Sequence, residues 1–393
     1  MPLGVYISVP FCRSKCSYCN FASGVFAREK MTEYVERVCA DIECAEQIAA
    51  KVGGVLERAV DSVYLGGGTP TTLAAGQLLR VFETLRRNFQ VAADAEITVE
   101  CAPGTLSPEM LDTLLRCGVN RFSLGVQSFV DQEAAAVGRL HSRTVVLDDI
   151  ARLRAAGIAN INIDLIAGLP HQSTESWRVS LAETIATGVP HVSVYMLEVD
   201  EDSRLGREVM AGGTRYHAHF VPDDDLTTDL YSEACAELEA AGIAQYEISN
   251  FARQEMESRH NLKYWARLPY MGFGLDAHSM LPAAAREFDA VRFATADELE
   301  SYIAGAAVTV TPVSKGAAME ETLFLGLRLT RGVDLAQLTA GFGDEAVGAF
   351  GATMAELRDS GLVESDGPLL RLTPKGRLVS NEVFQRFVEL PTA

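Results

Sequence analysis

Leu3-Gly-Val-Tyr-Ile-Ser-Val-Pro-Phe-Cys-Arg-Ser-Lys-Cys-Ser-Tyr-Cys-Asn-Phe21 begins as a strand and ends as a cysteine loop. Leu3–Val9 is β-branched and apolar, the composition of a strand buried on both faces. The three cysteines that follow, Cys12, Cys16 and Cys19, are spaced C-x3-C-x2-C. A loop this short turns three thiolates towards one place. Three are one too few for a closed zinc or iron–sulfur site, which takes four protein ligands. Either a distant residue such as Cys101 completes a zinc site, or a small molecule takes the open position on a [4Fe-4S] cluster.

Working outward, the first strand is the first of six. Apolar runs recur at Leu3–Val9, Ser62–Leu65, Ile97–Glu100, Arg121–Val126, Ile161–Ile166 and Val192–Leu197. Amphipathic helix patterns separate them at Met31–Ala50, Gln77–Asn88, Pro108–Cys117, Arg143–Ala156 and Ser173–Thr187. Thr32 is a candidate cap for the first, and Gly118 and Gly157 fall where helix C-caps belong. Strand–helix alternation implies a parallel sheet with right-handed crossovers. Six units fall short of a closed eight-fold barrel. The expected fold is therefore α/β, a partial (β/α)6 TIM-like barrel.

In such sheets ligands gather at the C-terminal strand ends. The cysteine loop follows the first strand, Gly66-Gly-Gly-Thr-Pro70 the second, and Glu100, Gln127, Asp164 and Tyr195 fall at or near the next four ends. Zinc knuckles favour two cysteine pairs, and only one cluster exists here. The rim pattern therefore favours the open cluster. Glycines let a ligand approach the backbone closely. Glu100 and Asp164 with Arg139 and Gln127 put carboxylate, guanidinium and amide around one cavity, a set suited to an amino-acid-bearing nucleotide. Cys39, Cys44, Cys117 and Cys235 fall in helix patterns and read as packing residues.

Beyond residue 222 a helix pattern covers Asp223–Ala241 and a short strand pattern Gln245–Ile248. His260-Asn-Leu-Lys-Tyr-Trp265 follows, then Gly272–Ser279. His217 and His219 lie in a polar loop with Arg215, a solvated pair within reach of a metal. His278 is within reach of the cofactor cavity. From Lys315 the style changes, with helix patterns at Glu320–Arg328, Asp334–Thr339 and Asp344–Ser360. A hairpin pattern runs from Leu362–Glu364 through Asp366-Gly367 to Leu369–Leu372, and Thr373-Pro374 opens a last helix. This is a C-terminal α+β winged-helix-like domain. The expected division is 1–222 barrel core, 223–314 extension, and 315–393 winged-helix-like domain.

The charge balance is −19 over 393 residues, which argues against a nucleic-acid partner. Between 315 and 389 there are 8 basic and 11 acidic residues, so the winged helix does not read as a DNA binder. No apolar run is long enough to span a membrane, and no basic-then-apolar leader opens the sequence. The expected location is the cytoplasm.

The cysteine spacing, Tyr18 before the last cysteine, and Gly-Gly-Gly-Thr-Pro downstream resemble the radical S-adenosylmethionine superfamily. More closely, the chain resembles the branch of oxygen-independent coproporphyrinogen III oxidases and their relatives. That resemblance implies a [4Fe-4S] cluster on Cys12, Cys16 and Cys19. It also implies S-adenosylmethionine chelated to the open iron and cleaved on reduction to a 5′-deoxyadenosyl radical. By the same resemblance Tyr6, Gly67 and Glu100 contact the cluster-bound S-adenosylmethionine. Tyr18, Gly68, Thr69, Gln127, Arg139 and Asp164 border a second molecule or its space.

Two departures refine it. The oxidase carries a long extension before its cysteines and a fourth cysteine two positions after the third; here eleven residues precede Cys12, and Phe21 stands at that position. Both features are similar to the HemW-type haem chaperones. HNxxYW is a signature of that group, so His260, Asn261, Tyr264 and Trp265 become haem-binding candidates; the alternative is that His260 bonds a loop while Trp265 packs. The implied function is haem binding and delivery to respiratory or cytochrome acceptors at the membrane. An electron donor would serve the cluster, and a homodimer is compatible with the reading. The competing readings are the oxidase itself, a radical methyltransferase that opens the haem ring, and a structural zinc protein.

Overall fold

The computed structural model describes residues 1–388. Six parallel strands build one half-barrel: β1 (Leu3–Val9), β2 (Ala59–Gly67), β3 (Gln90–Cys101), β4 (Arg121–Gln127), β5 (Asn160–Ala167) and β6 (His191–Met196). All six expected strands are present; β2 and β3 extend several residues further towards their N-termini. The sheet continues at both ends. At one edge β8 (Asn250–Ala252) pairs antiparallel with β6, and β7 (Ala244–Gln245) pairs antiparallel with β8. At the other, β9 (Tyr270–Phe273) lies parallel to β1. β10 (His278–Pro282), β11 (Phe288–Ala294) and β12 (Thr309–Ser314) then follow antiparallel. The twelve-stranded sheet runs β12-β11-β10-β9-β1-β2-β3-β4-β5-β6-β8-β7, with β12 and β7 as edges, so the barrel stays open.

The crossovers are helical: α1 (Arg28–Glu43), α2 (Ala45–Val52), α3 (Ala75–Asn88), α4 (Pro108–Arg116), α5 (Asp131–Ala136), α6 (Arg143–Ala155) and α7 (Thr174–Thr187). Met31–Ala50 was expected as one helix capped by Thr32. The helix starts earlier, at Arg28 after Ala27, and Cys44 leaves helical geometry and splits it into α1 and α2. Thr32 therefore lies inside a helix, where its hydroxyl has no free amide to cap. Elsewhere the local signals hold. Ser107 accepts from the Met110 amide before Pro108 opens α4, and Gly118 and Gly157 both have φ of +83° just past their helices.

Three further helices matter for the site: α8 (Arg204–Met210), α9 (Asp224–Ala240) and α10 (Arg259–Trp265). Trp177 of α7 is fully buried and donates from its indole to the Leu230 carbonyl at 2.7 Å, locking α7 to α9. The main core fills the space between these helices and the outer face of the sheet.

The segment from Lys315 has its own apolar cluster around Leu323, Leu327, Phe350, Leu370, Val383 and Phe387. It holds a three-stranded antiparallel sheet of β13 (Val333–Asp334), β14 (Val363–Asp366) and β15 (Leu369–Leu372), with the hairpin turning at Gly367 (φ +57°). Asp344–Ser360 is broken into Asp344–Gly348 and Gly351–Asp359. The final residues of the expected third segment, 389–393, lie outside the described residues.

Candidate functional site

A cavity of about 650 Å³ occupies the inside of the half-barrel. Its upper wall is the cysteine loop. Backbone bonds pin that loop at both ends: Cys12 N–H donates to the Gly24 carbonyl (2.8 Å) and Gly24 N–H to Pro10 (2.8 Å). Ser17 N–H reaches Val137 (3.1 Å), and the Leu205 N–H reaches Ser17 (2.8 Å). Cys12, Cys16 and Cys19 all line the cavity, and none is in a disulfide. The Thr69 hydroxyl lies 3.9 Å from Cys12 Sγ, Ser23 Oγ lies 3.8 Å from Cys19 Sγ, and Arg139 Nη1 lies 3.5 Å from Cys16 Sγ. Burial pushes the Cys12 thiol up, against hydrogen bonds from Thr69 and Ser23.

The next wall is the glycine strip. Gly68 N–H donates to Val9 and Thr69 N–H to Phe11, both at 2.8 Å, so strip and cysteine loop are one unit. Gly67 has φ of +96°, and a Cβ on Gly66 would come within 2.8 Å of the Glu100 carboxylate. Larger residues at either place would strain the backbone or displace Glu100. Tyr6 is paired with Tyr64 across β1 and β2, with ring centroids 6.1 Å apart. Tyr64 lines the cavity; Tyr6 stands behind it and is not among the lining residues.

Inward positions of β4, β5 and β6 supply the deeper wall. Glu100 accepts from the Tyr64 hydroxyl (2.9 Å) and the Gly67 amide (3.1 Å). Burial and then the neighbouring Asp164 nonetheless push its pKa up to about 7. Asp164 is also raised by burial, although Asn162 (2.7 Å) and Ser123 (3.1 Å) donate to it. Two buried carboxylates with raised pKa values form a place that a cation would relieve. Gln127 ends β4 at φ +71°, on the bulge between Gly125 and Gln127. The Arg139 guanidinium donates to the Gly125 carbonyl and occupies the space a Cβ there would need. Gln127 Oε1 and Arg139 Nε are buried without a partner.

These orphans, the glycine strip and the triad of uncrosslinked thiols fit a small polar molecule beside a cluster. Cys101 also lines the cavity; it is buried, and its thiol lies 3.9 Å from the Val99 carbonyl. Phe21, where a fourth loop cysteine would stand, is 64% exposed. Among the described residues no group of three or more His, Cys, Asp or Glu side chains is arranged around one metal-ion position.

Of the residues expected at the site, Tyr18, Gly67, Gly68, Thr69, Glu100, Gln127, Arg139 and Asp164 all line this cavity with the cysteines. The floor was not anticipated: Arg121, Ser123, Asn162, Ser193 and Asn250 also line it. The signal was available, because Arg121-x-Ser123-x-Gly125-x-Gln127 and Asn162-x-Asp164 carry polar or small residues at every second strand position.

The HNxxYW segment forms α10, which crosses the N-terminal end of the barrel. Its first amides, Arg259 and His260, donate to the buried Glu96 carboxylate at 3.1 and 3.0 Å, and Ser258 caps Asn261. Asn261 alone of the four candidates reaches the cavity floor. His260 is 1% exposed, with Nδ1 3.0 Å from Ser62 Oγ and Nε2 2.9 Å from the Tyr264 hydroxyl. Burial, then Lys263 and Arg121, push its pKa down to about 3. Trp265 packs under the Arg328 guanidinium, 4.3 Å from the ring centre. His278 was expected within reach of the cavity; it is exposed at the first position of β10 and is not among the lining residues.

Residues 6–183 match the Radical SAM superfamily model, and residues 313–379 match the HemN C-terminal domain. The chain is 33% identical over 390 residues to "Heme chaperone HemW" of Bacillus subtilis, spanning 98% of each chain. It is 34% identical to the protein of that name in Mycobacterium tuberculosis, over 98% of this chain and 94% of the relative. The chain belongs to the HemW family of radical S-adenosylmethionine proteins. Among solved structures, Escherichia coli coproporphyrinogen III oxidase (HemN) superposes with a TM-score of 0.83 at 25% identity. That match covers 98% of this chain and 90% of the other. The agreement extends through the winged-helix-like segment, so this HemW-family chain keeps the oxidase architecture from β1 to the C-terminal hairpin.

Proposed function

We propose that this protein binds haem and passes it to acceptor proteins at the membrane, with a [4Fe-4S] cluster and S-adenosylmethionine in the barrel cavity. The observation that carries this reading is the match along nearly the whole chain to proteins named heme chaperones. The three loop thiols would hold three irons of the cluster. When bound, the cluster and S-adenosylmethionine supply one-electron chemistry. The chain's own residues do the rest. The Gly67 and Gly68 backbone with Glu100 would receive the methionyl end, and Tyr64 would hold the Glu100 carboxylate in place. Gln127, Arg139 and Asp164 would border a second S-adenosylmethionine or its space, and Thr69, 3.9 Å from Cys12 Sγ, would steady that thiol.

The same proposal includes Tyr18 at the cofactor with Tyr6 behind Tyr64, an external electron donor, a cytoplasmic location, a homodimer, and a division of the chain at 222 and 314. No helix of the described residues is long and apolar enough to cross a membrane. With a charge of −19, contact with an anionic bilayer would need a protein acceptor.

A second reading is coproporphyrinogen III oxidation. The structural match at TM-score 0.83 favours it, as does the deep polar floor around Arg121, which suits propionates. One preparation tests both. After anaerobic cluster reconstitution, the chaperone reading expects a stable haem complex, haem transfer to an apo-acceptor, and no coproporphyrinogen turnover. Turnover without stable haem binding would overturn it. Cys12→Ala should lose cluster iron; full metal retention as zinc would defeat both readings.

A further inference from the structure

If the protein carries haem, the iron needs a ligand, and His260 has neither ring nitrogen free. A second cleft, of about 610 Å³, lies on the other side of the cysteine loop. Arg13, Ser14 and Lys15 of that loop, Arg204 of α8, and Tyr216 and His217 line it. We propose that this cleft binds haem, with His217 as an axial ligand through Nε2 and His171 as the acceptor that orients it. This inference rests on the haem-chaperone reading.

The geometry is that of a prepared imidazole. His217 Nδ1 lies 3.0 Å from His171 Nε2, and His217 is exposed. No hydrogen bond from His217 Nε2 occurs among the described residues. If Nδ1 carries the proton and donates it to His171, Nε2 keeps its lone pair for iron. An iron-bound histidine usually donates its other ring N–H in this way. His171 Nε2 accepts at that distance in the tautomer that carries its proton on Nδ1.

The surroundings suit a porphyrin. Phe220 stacks on His171 (4.1 Å) and His219 (4.0 Å) and is 48% exposed. Phe220 lies beside the cleft rather than lining it; Tyr216 and Val25 are the cleft's exposed apolar faces. Arg13, Lys15 and Arg204 bring positive charge for propionates to a strongly acidic chain, and Arg204 Nε is buried without a partner. The Glu208 carboxylate accepts from the Arg215 amide at 3.1 Å.

The backbone is bent to make the arrangement. His171, Tyr216 and His217 have φ of +70°, +55° and +61°, the left-handed region that side chains avoid. The His171 amide bonds to Phe220 (3.0 Å) and ties the two segments together. Strain of this kind concentrates at ligand-binding sites. A bare metal ion is the poorer occupant, since no three ligating side chains converge among the described residues. Haem iron brings four ring nitrogens and asks one or two ligands of the protein.

The test is titration of ferric haem into the full chain, read by difference absorbance and electron paramagnetic resonance. Wild type should give a histidine-ligated spectrum. His217→Ala should lose it, and added imidazole should restore it. His171→Ala should weaken binding by about tenfold. His260→Gln and the distant surface change His278→Ala should leave spectrum and affinity unchanged. Retention of the wild-type spectrum and affinity by His217→Ala overturns this site while leaving the chaperone reading intact. Equal loss in His278→Ala means unspecific adsorption and also overturns it. Wild type that binds no haem defeats the chaperone reading itself, and this inference with it.

Discussion

Glu100 is a carboxylic acid whose surroundings resist its charge. Its pKa of about 7, set by burial and Asp164, exceeds the ordinary value of 4.5. A raised carboxyl pKa means the folded state holds a proton that the unfolded state has released. Its contribution to stability is therefore complete below about pH 4.5 and is lost as pH rises through 7. Glu100→Gln should raise the stability of the cofactor-free protein at pH 8 by about 2 kcal/mol, measured by denaturant melts at pH 5 and pH 8. The gain should vanish at pH 5. The amine N–H donors and sulfonium charge of S-adenosylmethionine would reverse the balance by favouring the carboxylate. S-adenosylmethionine affinity, measured by calorimetry, should rise from pH 6 to pH 8 and then level off, and Glu100→Gln should remove that dependence. An affinity that falls over this range would show that Glu100 does not face the amine.

At the scale of the element, α10 is a stopper. Glu96 receives its first amides, His260 bonds Ser62 and Tyr264, and the buried Lys263 bridges Asp61 (2.7 Å) and the Pro2 carbonyl (2.9 Å). Lys263→Met should cost roughly 3 kcal/mol by leaving Asp61 uncompensated. Thermal melting measures that loss, which Asp61→Asn in the same chain should partly restore. The HNxxYW letters were plain in the sequence, yet their place was not. Histidine, tyrosine and tryptophan read equally well as a ligand set or as packing, and only the long-range meeting of His260 with Ser62 and Glu96 decides what the ring touches. The rim was legible because strand ends carry their own signals: glycines, a carboxylate, an amide. Asp344–Ser360 and Met31–Ala50 misled because an unbroken apolar period gives no sign of a short interruption, one residue at Cys44 and two at Ala349 and Phe350. The cleft behind the loop was illegible because His171 and His217 lie far apart in sequence and meet through left-handed turns that no glycine marks.

Across the whole molecule, two main apolar cores are joined by a small apolar cluster of Met280, Ala290, Val313 and Ala318 and by polar contacts such as Glu321 with Arg267 and Arg292. Arg328 spans the two cores, stacking on Trp265 of α10 and standing 5.8 Å from the Phe384 ring centre, with Glu247 as its nearest countercharge. The Thr330 amide adds a bond to the Tyr246 carbonyl at 3.0 Å. Arg328→Ala should cost about 1–2 kcal/mol and expose the 315–388 segment to limited proteolysis faster than the barrel. Equal cleavage rates for the two parts would mean that the joint lies elsewhere.

α10 stands across the N-terminal end of the open half-barrel, and Arg121 lies deeper along its strand than Gly67 and Glu100, so a molecule entering past the cysteine loop meets the S-adenosylmethionine residues first. Molecules entering this way form a queue. Anything lodged at Arg121 by that route must arrive before S-adenosylmethionine settles at Gly67 and Glu100, and must wait for it to leave. Rapid-mixing experiments with preloaded S-adenosylmethionine should therefore show slow, release-limited entry of a deep ligand. The reverse order should show fast uptake of both.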